Sequence, residues 1–142
     1  MHNVLDRIEE IQYNIGEDNV FQTVYSYEYD INSRLYSVTD HRSGEVTCYL
    51  YDGTGRLTDT VVYDVETYKN VYSKYVIYDT ESKVTAVSDR FDAVIENETQ
   101  TMGISYQYLY DESDRVSIIT HGGAHLLSYV YDGFGRLYSK VT

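Results

Sequence analysis

Apolar and polar residues alternate with a period of two along much of the chain. The clearest rows are Tyr25, Tyr27, Tyr29 and Ile104, Tyr106, Tyr108, Tyr110. Alternation of this kind, rich in Tyr, Val, Ile and Thr, is typical of half-buried β-strands. We therefore predict an all-β fold in which helices are scarce.

The strand-like runs are separated by a phrase that occurs five times. Its copies are YEYDINSRL from Tyr27, YLYDGTGRL from Tyr49, VIYDTESKV from Val76, YLYDESDRV from Tyr108 and YVYDGFGRL from Tyr129. The predicted turns are residues 30–34, 52–56, 79–83, 111–115 and 132–136. A partial repeat at 3–11, with Asn3 in the aspartate position, opens the chain. At about two strands per repeat, this predicts roughly ten to twelve short strands.

These strands are expected to form an antiparallel meander or spiral of consecutive β-hairpins, in a curved open sheet. A length of 142 residues with 42% hydrophobic content suits one domain, so we predict a single domain at 1–142. The spacing of Val4, Leu5, Ile8 and Ile11 also fits an amphipathic helix, but the partial repeat favours a strand there.

Glycines and one acidic stretch predict further connections. Gly16, the Ser43-Gly44 pair, Gly103 and the Gly122-Gly123 pair are expected at turns that need a positive φ. The segment from Asp89 to Met102 separates two repeats more widely than elsewhere. We expect it to be an extended hairpin arm or a surface loop.

The apolar content is dominated by tyrosine, with 18 Tyr against 3 Phe and no Trp. A tyrosine ring can pack while its hydroxyl stays hydrated, so this composition favours a thin, half-exposed sheet over a thick aliphatic core. The absence of Pro fits as well, because proline removes a hydrogen-bond donor from a strand. The single Cys48, in a strand-like run, is expected to be a small buried hydrophobe.

Charge and hydropathy exclude two classes of partner. The formal net charge of −12 repels nucleic-acid backbones and anionic lipid headgroups. No apolar run is long enough for a membrane span, and the first residues lack the features of a signal peptide. We predict neither a nucleic-acid partner nor a membrane span.

The aspartate and arginine of the repeated phrase have a structural explanation. Aspartate at the mouth of a turn accepts backbone N–H groups, and an arginine four residues later can reach that carboxylate or the neighbouring turn. The predicted structural residues are Tyr29, Asp30, Arg34, Tyr51, Asp52, Arg56, Tyr78, Asp79, Lys83, Tyr110, Asp111, Arg115, Tyr131, Asp132 and Arg136. The first, third and fourth copies lack the turn glycines and are expected to bend differently.

The repeated Tyr-x-Tyr-Asp-x-x-Gly-Arg-Leu phrase, with a glycine upstream as at Gly44, Gly103 and Gly123, resembles the YD repeat of the RHS family. That family includes bacterial polymorphic toxins, shells of insecticidal toxin complexes, wall-associated proteins and animal teneurins. The resemblance implies hairpins wound side by side into a shell wall, in a secreted or surface-displayed protein. It therefore implies a non-catalytic structural scaffold, and no enzyme activity is expected.

The chain departs from the family pattern in two respects. Full shells use many more repeats than five, and the family's self-cleaving segment contains a proline that this chain lacks. Autoproteolysis is therefore not predicted. Neither a cofactor nor a metal is predicted, because His121 and His125 flank two glycines and have no third ligand at suitable spacing.

Two alternatives concern partners. The rows that contain Tyr25, Tyr27, Tyr106 and Tyr108 offer flat rings that could bind a carbohydrate or a protein, although packing on neighbouring repeats or an adjacent layer is the favoured explanation. An open sheet also leaves edges that recruit further strands. The expected partners are further repeats of a parent protein or a second copy, with a dimer predicted.

Overall fold

The computed structural model describes residues 7–14, 20–95 and 98–142. The regular elements in these ranges are eleven β-strands, and none of the described residues forms a helix. The strands are β1 Glu10–Asn14, β2 Phe21–Tyr29, β3 Leu35–Asp40, β4 Glu45–Tyr51, β5 Leu57–Asp64, β6 Asn70–Tyr78, β7 Val84–Ile95, β8 Glu98–Tyr110, β9 Val116–His121, β10 Ala124–Tyr131 and β11 Leu137–Val141. The predicted all-β class and number of strands are confirmed. A helix with the length and apolar character to cross a membrane is absent from the described ranges.

Within each part of the chain, neighbouring strands of the sheet follow the order of the sequence. Contacts divide the chain into two compact units, Met1–Ser73 and Lys74–Thr142. In the first unit β1 to β5 pair successively and antiparallel, and in the second unit β7 to β11 do the same. The antiparallel meander is therefore confirmed, while the single domain stays a prediction.

Very few side chains are buried in either unit. Among the described residues the buried apolar ones are Val24, 6% exposed, and Val46, 8% exposed, and no large side chain is completely buried. Ser37 is also buried, and its hydroxyl donates a 2.7 Å hydrogen bond to the Glu28 carboxylate. The sheet is thin, as the tyrosine-rich composition predicts, so contacts between neighbouring strands must supply much of its stability.

All five predicted turns share one backbone geometry. In the second turn, the N–H of Gly55 donates to the carbonyl of Asp52 at 3.0 Å, and the N–H of Asp52 donates to the carbonyl of Arg56 at 2.9 Å. The same two hydrogen bonds recur at Asp30, Asp79, Asp111 and Asp132. The fourth residue of each turn has a positive φ, as at Gly55 with 89°. This is the hairpin loop in which a type I turn is followed by a left-handed residue.

The expectation that turns without glycine bend differently is wrong. Ser33, Ser82 and Asp114 occupy the left-handed position with φ of 66°, 70° and 61°. The paired strands on both sides determine the turn. Their pairing offsets the unfavourable conformational energy of a non-glycine residue in the left-handed region. Gly53, the first glycine of its turn, has no positive φ and nothing near its Cβ position. The first glycine is therefore not required by the backbone.

The other connections correct one further expectation from glycine positions and agree with another. Gly103 lies inside β8 opposite Arg90, so the predicted turn at Gly103 is wrong. Gly122 and Gly123 form the tight loop between β9 and β10 with φ of 57° and 82°, as predicted. The segment from Asp89 to Met102 belongs to the long β7–β8 hairpin, so the extended arm is the correct alternative.

Three expectations concern positions near or within the undescribed ranges. Gly16 and Asn3 lie outside the described residues. Of the residues whose spacing also fitted a helix, Ile8 makes an isolated β-bridge and Ile11 lies in β1, so the strand is the correct alternative for them.

The two glycines of the second turn provide a matched test of this geometry. Gly55→Ala forces a Cβ into the left-handed region and should lower the free energy of unfolding by about 1 kcal/mol. Gly53→Ala should leave it unchanged or raise it by roughly 0.5 kcal/mol, because alanine restricts only the unfolded chain there. Urea unfolding followed by circular dichroism measures both. Equal effects of the two substitutions would contradict the assigned turn.

Candidate functional site

The carboxylate of the turn aspartate organises its own loop. Oδ1 of Asp52 accepts the N–H groups of Thr54 at 2.9 Å and Arg56 at 3.0 Å, and it also accepts the Thr54 hydroxyl at 2.7 Å. The equivalent pair of N–H groups donates to Oδ1 at 2.9 or 3.0 Å in the other four turns. These bonds hold the strand that leaves the turn against the strand that enters it.

The arginine four residues after the aspartate bonds the second carboxylate oxygen. Nε of Arg56 donates to Oδ2 of Asp52 at 2.7 Å, and the same bond is 2.7 or 2.8 Å long at Arg34, Arg115 and Arg136. In the third turn Nζ of Lys83 lies 3.7 Å from the Asp79 carboxylate. The predicted contact between the two repeated charges is therefore present, and it lies within one turn.

These donors lower the pKa of all five aspartate carboxyls. The Thr54 hydroxyl is the largest cause at Asp52, where the pKa falls furthest, and the Arg56 side chain follows. At Asp30, Asp79 and Asp132 the main cause of the lowered pKa is the backbone N–H of the arginine or lysine of the same turn, and at Asp111 it is the Arg115 side chain. A carboxylate that is ionised and surrounded by donors is a stable acceptor and a poor general base.

A second set of contacts joins each repeat to the next one. The Tyr51 hydroxyl donates to the carbonyl of Leu35 at 2.9 Å, and its ring lies under the Arg34 guanidinium at 4.5 Å from the centroid. We call this pair of contacts the tyrosine clasp: a tyrosine covers the cation of the preceding repeat and donates to the carbonyl of the residue that follows that cation. The structure also contains clasps with the tyrosine–cation–carbonyl sets Tyr29–Arg7–Ile8, Tyr110–Lys83–Val84 and Tyr131–Arg115–Val116.

Lys83 is the one lysine among the repeated cations, and the residue that it meets in the next turn differs as well. Nη1 of Arg115 lies 3.3 Å from where a Cβ on Gly135 would be, so glycine leaves room for the guanidinium. In the corresponding place Nζ of Lys83 makes a 2.7 Å ion pair with Asp114. This ion pair is the largest cause of the raised pKa of Lys83, and Glu81 is the second. In the sequence, this ion pair is indicated by lysine in place of arginine at position 83 together with aspartate in place of glycine at position 114.

The tyrosines considered for binding are half-buried. Among them, Tyr25 accepts a hydrogen bond from Arg42, whose guanidinium lies 5.0 Å from the ring centroid. The Tyr106 ring lies 5.3 Å from the His121 ring. Tyr27 and Tyr108 are likewise half-buried within β2 and β8. Packing on neighbouring strands thus covers a large part of these rings.

Sequence reasoning missed an open cavity of about 470 Å³ in the first unit. Its lining residues are Tyr13, Gln22, Thr23, Val24, His41 and Arg42. His41 Nε2 lies 2.7 Å from the Ser26 hydroxyl, and Arg42 is held by Asp40 as well as by Tyr25. Because the cavity combines residues of β1, β2 and the turn after β3, no local pattern in the sequence could indicate it.

The remaining candidate side chains have ordinary partners. His121 Nδ1 lies 2.9 Å from the carbonyl of Ser105, and His125 Nε2 lies 2.6 Å from the Ser128 hydroxyl. Within the three described ranges, no group of three His, Cys, Asp or Glu side chains is placed to hold a metal ion. Cys48 is half-buried, which corrects the expectation of a buried thiol, and it lies beside Tyr63, whose pKa is raised mainly by burial.

Removing a single hydroxyl tests the clasp. Tyr51→Phe keeps the ring under Arg34 but leaves the Leu35 carbonyl without its donor, so the free energy of unfolding should fall by about 1 kcal/mol. Tyr138→Phe is the matched control, because Tyr138 is 79% exposed, and its effect should stay within about 0.5 kcal/mol. Chemical denaturation distinguishes them, and a Tyr51 variant as stable as the control would refute the clasp.

The lowered aspartate pKa values predict loss of stability in acid. In the unfolded chain these carboxyls have a pKa of about 3.9, and in the folded chain the pKa is lower, so the folded state favours the ionised form. Their contribution is complete above the unfolded value and is lost as the pH falls through the folded values. The thermal midpoint of the protein should therefore drop steeply below about pH 4.

An asparagine substitution isolates this effect from the general loss of negative charge. Asp52→Asn should be less stable at pH 7 and should show a shallower fall in thermal midpoint between pH 4 and pH 2. Glu112→Gln removes an exposed carboxyl of another turn and should keep the wild-type slope. If the Asp52 variant kept the wild-type slope as well, the assigned role of the carboxylate would be wrong.

Comparison with known proteins addresses the fold. No protein-family model and no curated protein matches the chain. The crystal structure of TcdB2-TccC3 without its hypervariable C-terminal region aligns with 97% of this chain at 12% identity and a TM-score of 0.53. The crystal structure of TcdB2-TccC3-Cdc42 aligns with 94% at 12% identity and a TM-score of 0.50.

This chain spans 9% of the length of each of those chains. At 12% identity the likeness concerns the fold alone. TcdB2-TccC3 is a toxin complex that contains RHS/YD repeats. The resemblance that the repeated turns show in sequence is therefore confirmed at the level of structure, and the chain has the fold of a segment of an RHS/YD-repeat toxin complex.

Proposed function

We propose that the chain is a non-catalytic structural scaffold, a stretch of YD-repeat wall from a secreted or surface-displayed protein of the shell or toxin-delivery type. The observation that carries this proposal is the tyrosine clasp. It uses the repeated tyrosine and the repeated cation to join one hairpin to the next. The aspartate is used within its own turn. The repeated tyrosine, cation and aspartate thus each make contacts that stabilise the sheet.

The distribution of these residues also supports a scaffold. An active site places unlike groups together once, whereas this chain repeats one arrangement in five turns. Each of the five aspartates accepts two backbone N–H groups on Oδ1, and four of them accept an arginine on Oδ2. Such carboxylates have little capacity left for proton transfer or metal binding. This supports the absence of catalysis.

The proposed location and partners rest on the structural neighbours. TcdB2-TccC3 is described as a complex, and one of its structures includes Cdc42. For this chain we propose further repeats of a parent protein, or a second copy, as the partner, and a secreted or cell-surface location. The net charge of −12 disfavours nucleic acid as a partner.

A set of equivalent substitutions tests the scaffold role. Asp30→Asn, Asp111→Asn and Asp132→Asn each remove the charge from a different turn and should lower the thermal midpoint by similar amounts, because each of these aspartates accepts the same two backbone N–H groups and the same arginine Nε. Glu66→Gln, which removes an exposed carboxyl from another connection, should leave the midpoint unchanged. Differential scanning calorimetry measures the midpoints. A scaffold of equivalent repeats is excluded if only one of the three aspartates matters.

The alternative function is a carbohydrate- or protein-binding module. The cavity between Tyr13 and Arg42 supports it, since an aromatic ring next to hydrogen-bonding side chains is a usual arrangement for sugar recognition. A glycan array is the direct test. Absence of binding on the array, with tyrosine fluorescence unchanged by polysaccharides, would exclude the carbohydrate version.

A further inference from the structure

The long β7–β8 hairpin has an unpaired edge within the second unit. On one side, β8 pairs with β7 from Glu98 onwards without a register shift. On its other side, β9 pairs with β8 only from Tyr106 to Tyr110. The residues from Glu98 to Ser105 therefore have a neighbouring strand on one side alone among the described strands of this unit, and all of them are exposed. The edge arises because β8 is 13 residues long and β9 only 6.

The direction of the backbone groups along this edge follows from one contact at its end. The Ser105 carbonyl lies 2.9 Å from Nδ1 of His121, so it points to the side of β9. In a regular antiparallel strand the N–H and C=O of one residue point to the same side, and those of the next residue point to the opposite side. Thr99, Thr101 and Gly103 therefore present their N–H and C=O groups at the unpaired edge. The residues between them direct these groups to β7.

The edge lacks the features that usually prevent a strand from pairing with another chain. Such features are prolines, bulges and charged side chains, especially lysine. From Glu98 to Ser105 the only charged side chain is that of Glu98, proline is absent, and the pairing with β7 has no bulge. The small charge also bears on the choice of partner, because chains of net charge −12 repel one another over most of their surface. At this edge two copies can approach with little local repulsion.

The fold of the single chain does not require glycine at position 103. Gly103 is not among the glycines with a positive φ. A Cβ there would make ordinary contacts, 3.4 Å from the Asp89 carbonyl oxygen and 3.5 Å from Cγ of Arg90. Glycine inside a strand weakens it and often marks a place where another backbone comes close. At Gly103 that approach comes from the unpaired edge, since β7 occupies the other side.

We propose that the edge from Glu98 to Ser105 is the interface at which a second copy of the chain pairs antiparallel with the first. The three outward-directed residues are centred on Thr101, so a two-fold axis at Thr101 places Thr99 of each copy opposite Gly103 of the other. Every outward N–H and C=O of these residues then has a partner. This inference rests on the proposed scaffold function, which includes a second copy as a partner, and it assigns the surface that the copy uses.

The side chains of the edge are compatible with this register. Glu98 of one copy lies opposite Ile104 of the other, so like charges do not face each other. The two Thr101 side chains form a cross-strand pair of a kind that stabilises antiparallel sheets. Because each copy uses the same residues, the interface is isologous and closes at two copies. The edge is therefore complementary to itself, which identifies the occupant as a second copy.

Mass and amide hydrogen exchange at increasing concentration test the pairing. In sedimentation equilibrium the full chain should change from one copy to two as its concentration rises from micromolar to millimolar. Over the same range the amide protons of Thr99, Thr101 and Gly103 should exchange more slowly, in proportion to the loss of monomer. Those of Gln100 and Met102 are directed to β7 in both states and should keep their rates.

Two substitutions at Thr101 form a matched pair. Both Thr101→Pro and Thr101→Val remove the hydroxyl that donates to Asp92 at 2.6 Å, but only proline also removes the outward N–H. Thr101→Pro should raise the dissociation constant of the dimer about 25-fold, because each copy loses one backbone hydrogen bond worth about a factor of five. Thr101→Val should stay within about twofold of the wild type. The exchange measurement needs no substitution and decides the question if the proline variant does not fold.

Four outcomes would overturn the inference. These are a monomer at millimolar concentration, equal dissociation constants for the two Thr101 variants, concentration-dependent protection confined to strands other than β8, and outward β8 amides that are already protected in the monomer. If the aspartate variants lose stability evenly but the chain stays monomeric, the interface alone is wrong. If the aspartate variants differ, the scaffold function fails whatever the mass.

Discussion

The structure depends on the contact between a tyrosine of one repeat and the arginine and carbonyl of the repeat before it. A sheet with so few buried apolar side chains as this one cannot be stabilised chiefly by a core. In each clasp, the hydroxyl bond contributes about 1 kcal/mol and the cation over the ring about 0.5–1 kcal/mol. Neither contribution is large alone, but the contacts recur from hairpin to hairpin. Stability is therefore distributed along the chain.

This distribution explains why the segments between turns can vary in length. Each hairpin contacts mainly its neighbours, so the chain behaves as a nearly one-dimensional array, as other repeat proteins do. The long β7–β8 hairpin extends away from the aspartate turns without altering them. The turns at 79–83 and 111–115 on either side retain the same backbone hydrogen bonds. Each repeat needs its turn and its clasp, whereas the strands beyond the turn can vary in length.

Sequence reasoning succeeded where the information was local and failed where it depended on packing between repeats. The period of two and the aspartate of each turn were sufficient to predict the strands. Glycine was given too much weight as a sign of a turn. Ser33 and Asp114 adopt the left-handed conformation without it, and Gly103 lies in the middle of a strand. The tyrosine clasp and the cavity beside Arg42 could not be predicted, because both depend on which residues neighbouring strands bring together.

The preference for tyrosine over phenylalanine follows from the same geometry. The left-handed residue brings an irregularity in strand pairing at four of the turns, as between Glu28 and Tyr29 or between Leu109 and Tyr110. Such bulges leave backbone groups outside the regular ladder. The tyrosine hydroxyl of the next repeat donates to a carbonyl at this position, at Leu35 and at Val116. Phenylalanine would cover the arginine equally well and leave the carbonyl unpaired. The turn geometry thus leaves a carbonyl group without a backbone donor, and the tyrosine hydroxyl supplies that donor. This is why the turn and the tyrosine recur together in the sequence.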